Sequence, residues 1–216
     1  MKRVLPLTLI ALLASSGLAA AFGLDSVSLG IHLTPSIERS LERRSWDLSL
    51  SISGIVALNA TNSIECTVVV DSAPTTLGTI AEYRYDATAH FSTGAGVAVL
   101  WPFAKDQSLQ APILESFARA RIHGGLFPSL RGDLGVSLPV VTIAHTGAAW
   151  RIMPLAGLPA LAAGLTLVPT SGAELEARLT LQPVLVDTTA FDDPIGRLTD
   201  DLLVLPTGSI YLRYFP

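Results

Sequence analysis

The chain has one cysteine, Cys66, in 216 residues, so no internal disulfide can hold it together. Charge is scarce as well. Lys, Arg, Asp and Glu make up 15% of the chain, where soluble domains carry about 25%. After the first segment, no unbroken apolar run is long enough for a helix to cross a bilayer, which takes about 20 residues. The four histidines, His32, His90, His123 and His145, are scattered, with neither HExxH nor any paired spacing that would hold a metal. No glycine-rich phosphate cradle and no nucleic-acid motif occurs. Acid outweighs base, with a formal net charge of −4, which argues against nucleic acid as a partner. These absences exclude a disulfide scaffold, a bundle of membrane helices, a P-loop enzyme and a nucleic-acid binder.

What the chain does have is hydrophobicity, 50% of its residues, spread thinly through alternating segments. It opens on Met1-Lys2-Arg3, an apolar run from Val4 to Leu13, and small residues ending at Ala19-Ala20-Ala21. That order predicts a secretory signal peptide over residues 1–21, cleaved after Ala21. A single domain over residues 22–216 would remain. Loss of Lys2 and Arg3 would move its charge by two, from −4 to −6.

The most informative stretch is Ser45–Leu58. Trp46, Leu48, Leu50, Ile52, Val56 and Leu58 share one parity, and Ser45, Asp47, Ser49, Ser51 and Ser53 the other. Side chains in a strand alternate between faces, so this is a strand with one apolar and one small, polar face. It is about twice the usual length of a soluble strand, and long enough to cross a bilayer if tilted. The pattern recurs. Tyr83, Tyr85, Ala87 and Phe91 alternate with Glu82, Arg84, Asp86 and His90; Ala118, Ala120 and Ile122 with Arg119, Arg121 and His123; Leu175, Ala177 and Leu179 with Glu174, Glu176 and Arg178. Shorter alternations occupy Leu24–Leu33, Ser63–Val70, Val97–Trp101, Leu134–Val140 and Gly208–Phe215. Cys66 shares the apolar parity of Ile64, Val68 and Val70, so it reads as a small apolar residue.

Turns are expected at Asn59–Asn62, at Gly94 and Gly96, at Pro128–Arg131 and at Thr146-Gly147. Ile152–Val168 is uncharged, but Pro154, Gly157, Pro159 and Gly164 interrupt it. Proline inside a helix costs about 3 kcal/mol, so one irregular strand or two short ones is expected there. Ser36–Arg44, Pro102–Glu115 and Asp187–Thr207 read as long connections, the first with room for a helical turn. Counting Trp150–Val168 once gives ten strands, within a range of eight to twelve. Pro139 and Pro183 fall inside strands, where proline removes a ladder bond.

The alternation over most of the chain, the aromatic-ended strands, the leader and the final SIYLRYFP resemble the small bacterial outer-membrane β-barrel proteins. Such proteins end on a strand of alternate apolar residues with a terminal Phe; here Ile210, Leu212 and Tyr214 alternate, and Phe215 precedes a terminal Pro216. The resemblance is one of pattern, without a particular family. It implies an all-β, antiparallel, up-and-down transmembrane barrel in the outer membrane of a double-membrane bacterium. Its partners would be outer-membrane lipid and the barrel-insertion machinery.

With the apolar parity facing lipid, the other faces the lumen. That assigns Glu82, Arg84, Asp86, His90, Arg119, Arg121, His123, Glu174, Glu176, Arg178 and Arg213 to a charge-paired interior, since a buried charge without a partner is costly. The function expected is structural, a small pore, or surface interaction through the long connections, with no cofactor, metal or catalytic residue assigned. His90 beside Ser92 is a weak catalytic pairing, of the kind a lipid-modifying barrel enzyme would use. Asp192, Asp193, Asp200 and Asp201 could meet a cation, although their spacing is no Ca²⁺ loop. The alternative fold is a soluble periplasmic or secreted β-sandwich that binds a ligand, with the charges solvated outside and the apolar parity in its core.

Overall fold

The computed structural model describes residues 23–35, 46–72, 75–102, 111–146, 149–154, 158–170, 172–187 and 200–215. The expected leader lies outside them, and so does most of each long connection. The strands are β1 (Ser26–Pro35), β2 (Trp46–Ala57), β3 (Asn62–Ser72), β4 (Thr75–Thr88), β5 (Phe91–Pro102), β6 (Ile113–Phe127), β7 (Leu130–Thr146), β8 (Ala149–Pro154), β9 (Ala160–Thr170), β10 (Ala173–Asp187) and β11 (Asp200–Tyr214). From β1 to β7 each strand pairs antiparallel with the next. The ring closes where β1 meets β11, with Val27 opposite Tyr214 and Leu33 opposite Gly208.

Strand β7 explains the count. Its Leu130–Ser137 half pairs with β9, and its Val141–Thr146 half pairs with β8. Strands β8 and β9 are therefore one stave, interrupted between Pro154 and Ala160. The result is a closed ten-stranded antiparallel barrel, as expected from counting Trp150–Val168 once. Ten staves closed by β1 and β11 put the start of β1 and the end of β11 at one end of the barrel. The turns at 58–61, 89–90 and 128–129 and the facing ends of β9 and β10 share that end, and the strand ends that flank 36–45, 103–110 and 188–199 are at the other.

Closure decides between the two folds the alternation allows. A sandwich would enclose the apolar parity between two sheets. Here Leu50, Val68, Val97, Leu134, Leu165 and Ile210 stand exposed, and the buried polar residues are Ser26, Ser28, Ser49, Ser51, Ser53, Ser92, Glu174, Glu176 and Ser209. The soluble-sandwich alternative is overturned: the sheet's apolar face is outside.

The prolines sit where the ladder does not need them. Opposite Pro139, a bulge between Ser116 and Phe117 leaves Val140 as an extra residue, and on its other side β7 faces the interruption between β8 and β9. Pro183 pairs with Val204 of β11, and the ladder to β9 has already ended at Leu181–Leu161. A strand interior tolerates proline at such bulges and free edges.

Three expectations need correction. Gly94 and Gly96 are inside β5, not in a turn. A side chain at Gly96 would collide with the Phe117 ring, and one at Gly94 with the Glu82 carboxylate, so these positions are glycine to let large neighbours lie across them. The turn comes earlier, at Ala89 and His90, and Phe91 opens β5 instead of closing β4. Finally, Asp200–Thr207 belongs to a strand, not to a connection, because β10 runs to Asp187 and offers Thr180–Asp187 as its partner.

Candidate functional site

The register sorts the candidate residues by strand. Glu82, Arg84 and Asp86 stand on β4, Arg119, Arg121 and His123 on β6, Glu174, Glu176 and Arg178 on β10 and Arg213 on β11. Strand β7, which holds none of the sequence candidates, supplies Arg131 and Asp133. Its Leu134, Val136, Leu138 and Val140 carry the apolar face, and the charges before them are legible only once β7 is known to begin at Leu130.

Among the described residues, seven ion pairs join this set. Arg119 Nη1 lies 2.5 Å from Glu82 Oε2, and Arg84 Nε lies 2.9 Å from Asp86 Oδ1. Arg178 Nη2 is 2.7 Å from Glu176 Oε1 and 3.1 Å from Asp133 Oδ1, an oxygen that also faces Arg121 Nε at 3.7 Å. Glu174 stands between Arg131, at 3.1 Å, and Arg213, at 3.8 Å. Glu174 and Glu176 are each 9% exposed. Burying a carboxylate that far is tolerable only with a cation beside it, and each has one.

Small residues make room for this. Arg178 and Asp133 are two strands apart, with Gly164 of β9 between them and in register with both. A Cβ at Gly164 would overlap the Asp133 carboxylate. Phe117, lying over Gly96, presents its ring to Arg119, whose Cζ is 5.0 Å from the centroid, within reach of a cation–π attraction. On the opposite wall, β1 and β2 carry serines and His32. His32 Nδ1 is 2.9 Å from Ser209 Oγ, and Nε2 is 2.8 Å from Ser51 Oγ. The Tyr211 ring meets His32 edge-on at 5.3 Å between centroids.

Sequence reasoning missed His32. Its parity with Thr34 and Ser28 was available, but its hydroxyl partners come from β2 and from β11, 177 residues away. Conversely, His90 does not join the charged face. It is exposed in the β4–β5 turn, where Nδ1 lies 3.2 Å from the His123 carbonyl oxygen, and the bulge between Asp86 and Thr88 breaks the parity that would carry it inward. Ser92 is buried on β5, and among the described residues no hydrogen bond joins it to His90. The charges and hydroxyls surround a void of about 210 Å³ at mid-barrel. Four guanidiniums (Arg119, Arg121, Arg178, Arg213) and three carboxylates (Glu65, Glu82, Glu176) line it. Among the described residues no group of three or more His, Cys, Asp or Glu could hold a metal ion; Asp192 and Asp193 are outside them.

Solved bacterial outer-membrane barrels resemble this one. The NanC porin aligns over 88% of this chain and 98% of its own, with 11% identity and a TM-score of 0.42. The KdgM porin covers the same shares at 8% identity and a TM-score of 0.40. Neisserial surface protein A aligns over 88% of this chain and 96% of its own, at 12% identity and 0.36. No family model matches the chain, and no curated protein does. The barrel's own geometry is therefore the guide to its function.

Proposed function

We propose that the chain is an outer-membrane barrel with a charge-paired, nearly filled interior, acting as a structural protein or a narrow pore. The observation that carries the reading is the outer surface. Exposed Leu, Ile and Val side chains cover it on every long strand except β4, which exposes Ala81, Tyr83 and Tyr85 instead, and aromatic residues mark its two ends. Trp46, Trp101 and Trp150 lie at the end with the long connections; Tyr83, Tyr85, Phe91, Phe127 and Tyr214 lie at the other. From Phe91 to Trp101, ten residues at about 3.3 Å each and a tilt of about 40° make about 25 Å. That is the height of the apolar band on barrels in outer membranes, which aromatic girdles also bound. A monomer in water would not leave so much apolar surface bare.

The interior supports the closed half of the proposal. Ten staves enclose little more than their own side chains, and four arginines and three carboxylates line the space that remains. Outer-membrane lipid is then the partner of the belt, and the alternation of Ile210, Leu212 and Tyr214 in β11 suits recognition by barrel-insertion machinery. The long connections would give the outside surface any adhesive role. Among the described residues catalysis has no constellation to support it: His32 meets Ser51 and Ser209 inside the wall, beside the void.

Cell fractionation with gel electrophoresis tests the reading. The protein should enter the membrane fraction, and unheated samples should migrate faster than boiled ones. Recovery in a detergent-free periplasmic extract, without heat-modifiable migration, would refute it. In planar bilayers the conductance should be weak at most; a large, steady current refutes the filled interior.

A further inference from the structure

We infer that the mid-barrel void is a permeation site for small inorganic ions, and that Asp133 sets its selectivity. This rests on the proposed membrane barrel and extends it to a substrate class. The void of about 210 Å³ has room for about seven waters at roughly 30 Å³ each. A partly hydrated monovalent ion fits; an oligosaccharide does not.

The charge around the void is balanced from behind. Its lining has one more guanidinium than carboxylate. The missing negative charge is Asp133, which is not on the void wall but holds two of the lining arginines, Arg121 at 3.7 Å and Arg178 at 3.1 Å. The remaining carboxylates bordering this set are each matched by a cation off the void wall, Asp86 by Arg84 and Glu174, which also faces Arg213, by Arg131. The paired set at the void is neutral in sum, while Asp47, Asp71 and Glu115 stand on the same face nearer the end with the long connections, so the void itself discriminates weakly between anions and cations and one charge removed there tips it.

The geometry also fixes how the arginines stand. Gly164 lets the Asp133 carboxylate occupy the space over β9 where a side chain would be, so Arg178 is drawn along the wall towards β7. Anchored there by Asp133 and Glu176, its guanidinium borders the void without filling it. Asp133 thus acts through the two arginines: it is a positioning residue, and its charge is read by the ion through them.

The test is the permeability ratio of chloride to potassium for full-length protein in planar bilayers under a potassium chloride gradient. Asp133→Asn leaves the void one positive charge in excess. One charge at about 7 Å in a water-like dielectric raises local chloride and lowers local potassium by about threefold each, so the ratio should rise by about sevenfold. The double variant Arg121→Gln/Arg178→Gln removes two positive charges and should shift the ratio the opposite way, towards potassium. Opposite shifts establish the assignment, and the double variant decides alone if Asp133→Asn does not fold. The inference is overturned if the variants insert, migrate heat-modifiably and keep the wild-type ratio, or if none of the inserted proteins passes ions. Failure of the wild-type protein to insert or to show heat-modifiable migration would instead overturn the membrane-barrel reading beneath it.

Discussion

Placing an arginine at successive outward positions of β5 tests whether the outer face meets lipid. The outward residues are Phe91, Thr93, Ala95, Val97, Val99 and Trp101, which alternate with Ser92, Gly94, Gly96, Ala98 and Leu100. Val97 is 50% exposed. It lies six residues above Phe91 and four below Trp101, or about 15 Å and about 10 Å along the barrel axis, close to mid-band. An arginine at the bilayer midplane of a barrel costs about 2–4 kcal/mol, and near the interface about 0–1. Val97→Arg should therefore destabilise by about 3 kcal/mol, and Thr93→Arg, two residues from Phe91, by less than about 1. Ala95→Arg, four residues from Phe91 and as near mid-band, should cost about as much as Val97→Arg, and Val99→Arg, two residues from Trp101, about as little as Thr93→Arg. The assay is urea titration of folding into lipid vesicles, followed by tryptophan fluorescence. A flat profile, or Val97→Arg costing no more than Thr93→Arg, would refute a lipid-facing wall. The same profile in detergent micelles should be compressed, because a micelle has no fixed thickness to impose depth.

Gly164→Ala should destabilise the barrel by about 1–3 kcal/mol, the usual cost of overpacking a filled interior, because the new methyl overlaps the Asp133 carboxylate; an unchanged urea midpoint would show that Asp133 moves aside freely. Cys66 is exposed on the apolar face of β3, so in vesicles a charged, membrane-impermeant maleimide should label it slowly and in urea rapidly. Equal rates would place that face in water. Gly96→Val should meet the Phe117 ring and lower the urea midpoint more than Ala98→Val two residues on, and equal losses would show that the ring has other space.

The strand pattern was legible because a two-residue period needs only local sequence: Trp46 to Leu58 alternates whatever lies beside it. What failed to read were places where a neighbouring strand sets the meaning of a residue. Gly94 and Gly96 look like a turn until Glu82 and Phe117 are known to lie over them. Asp200–Thr207 looks like an acidic loop until β10 offers it a ladder. His90 shares parity with Glu82, but a bulge between Asp86 and Thr88 moves it to the surface. Within the charged set, parity groups residues by face but cannot pair them: Asp133 with Arg178 is a contact across an intervening strand.

A two-faced sheet, one face apolar and the other charged, was legible in the chain alone, because side-chain alternation follows from backbone pleating. For an enclosed charged face, the chain also required that the charges be paired, since a closed, narrow space cannot hold them otherwise. It left open which face would be enclosed. A sandwich and a barrel use the same period and differ only in closure, and closure depends on β1 meeting β11 and on β8 and β9 sharing one stave. Those are contacts between residues far apart in the chain, and no local pattern encodes them. Tertiary structure turned the apolar parity outward, and it brought Arg121 and Arg178 to the edge of one void with Asp133 behind them.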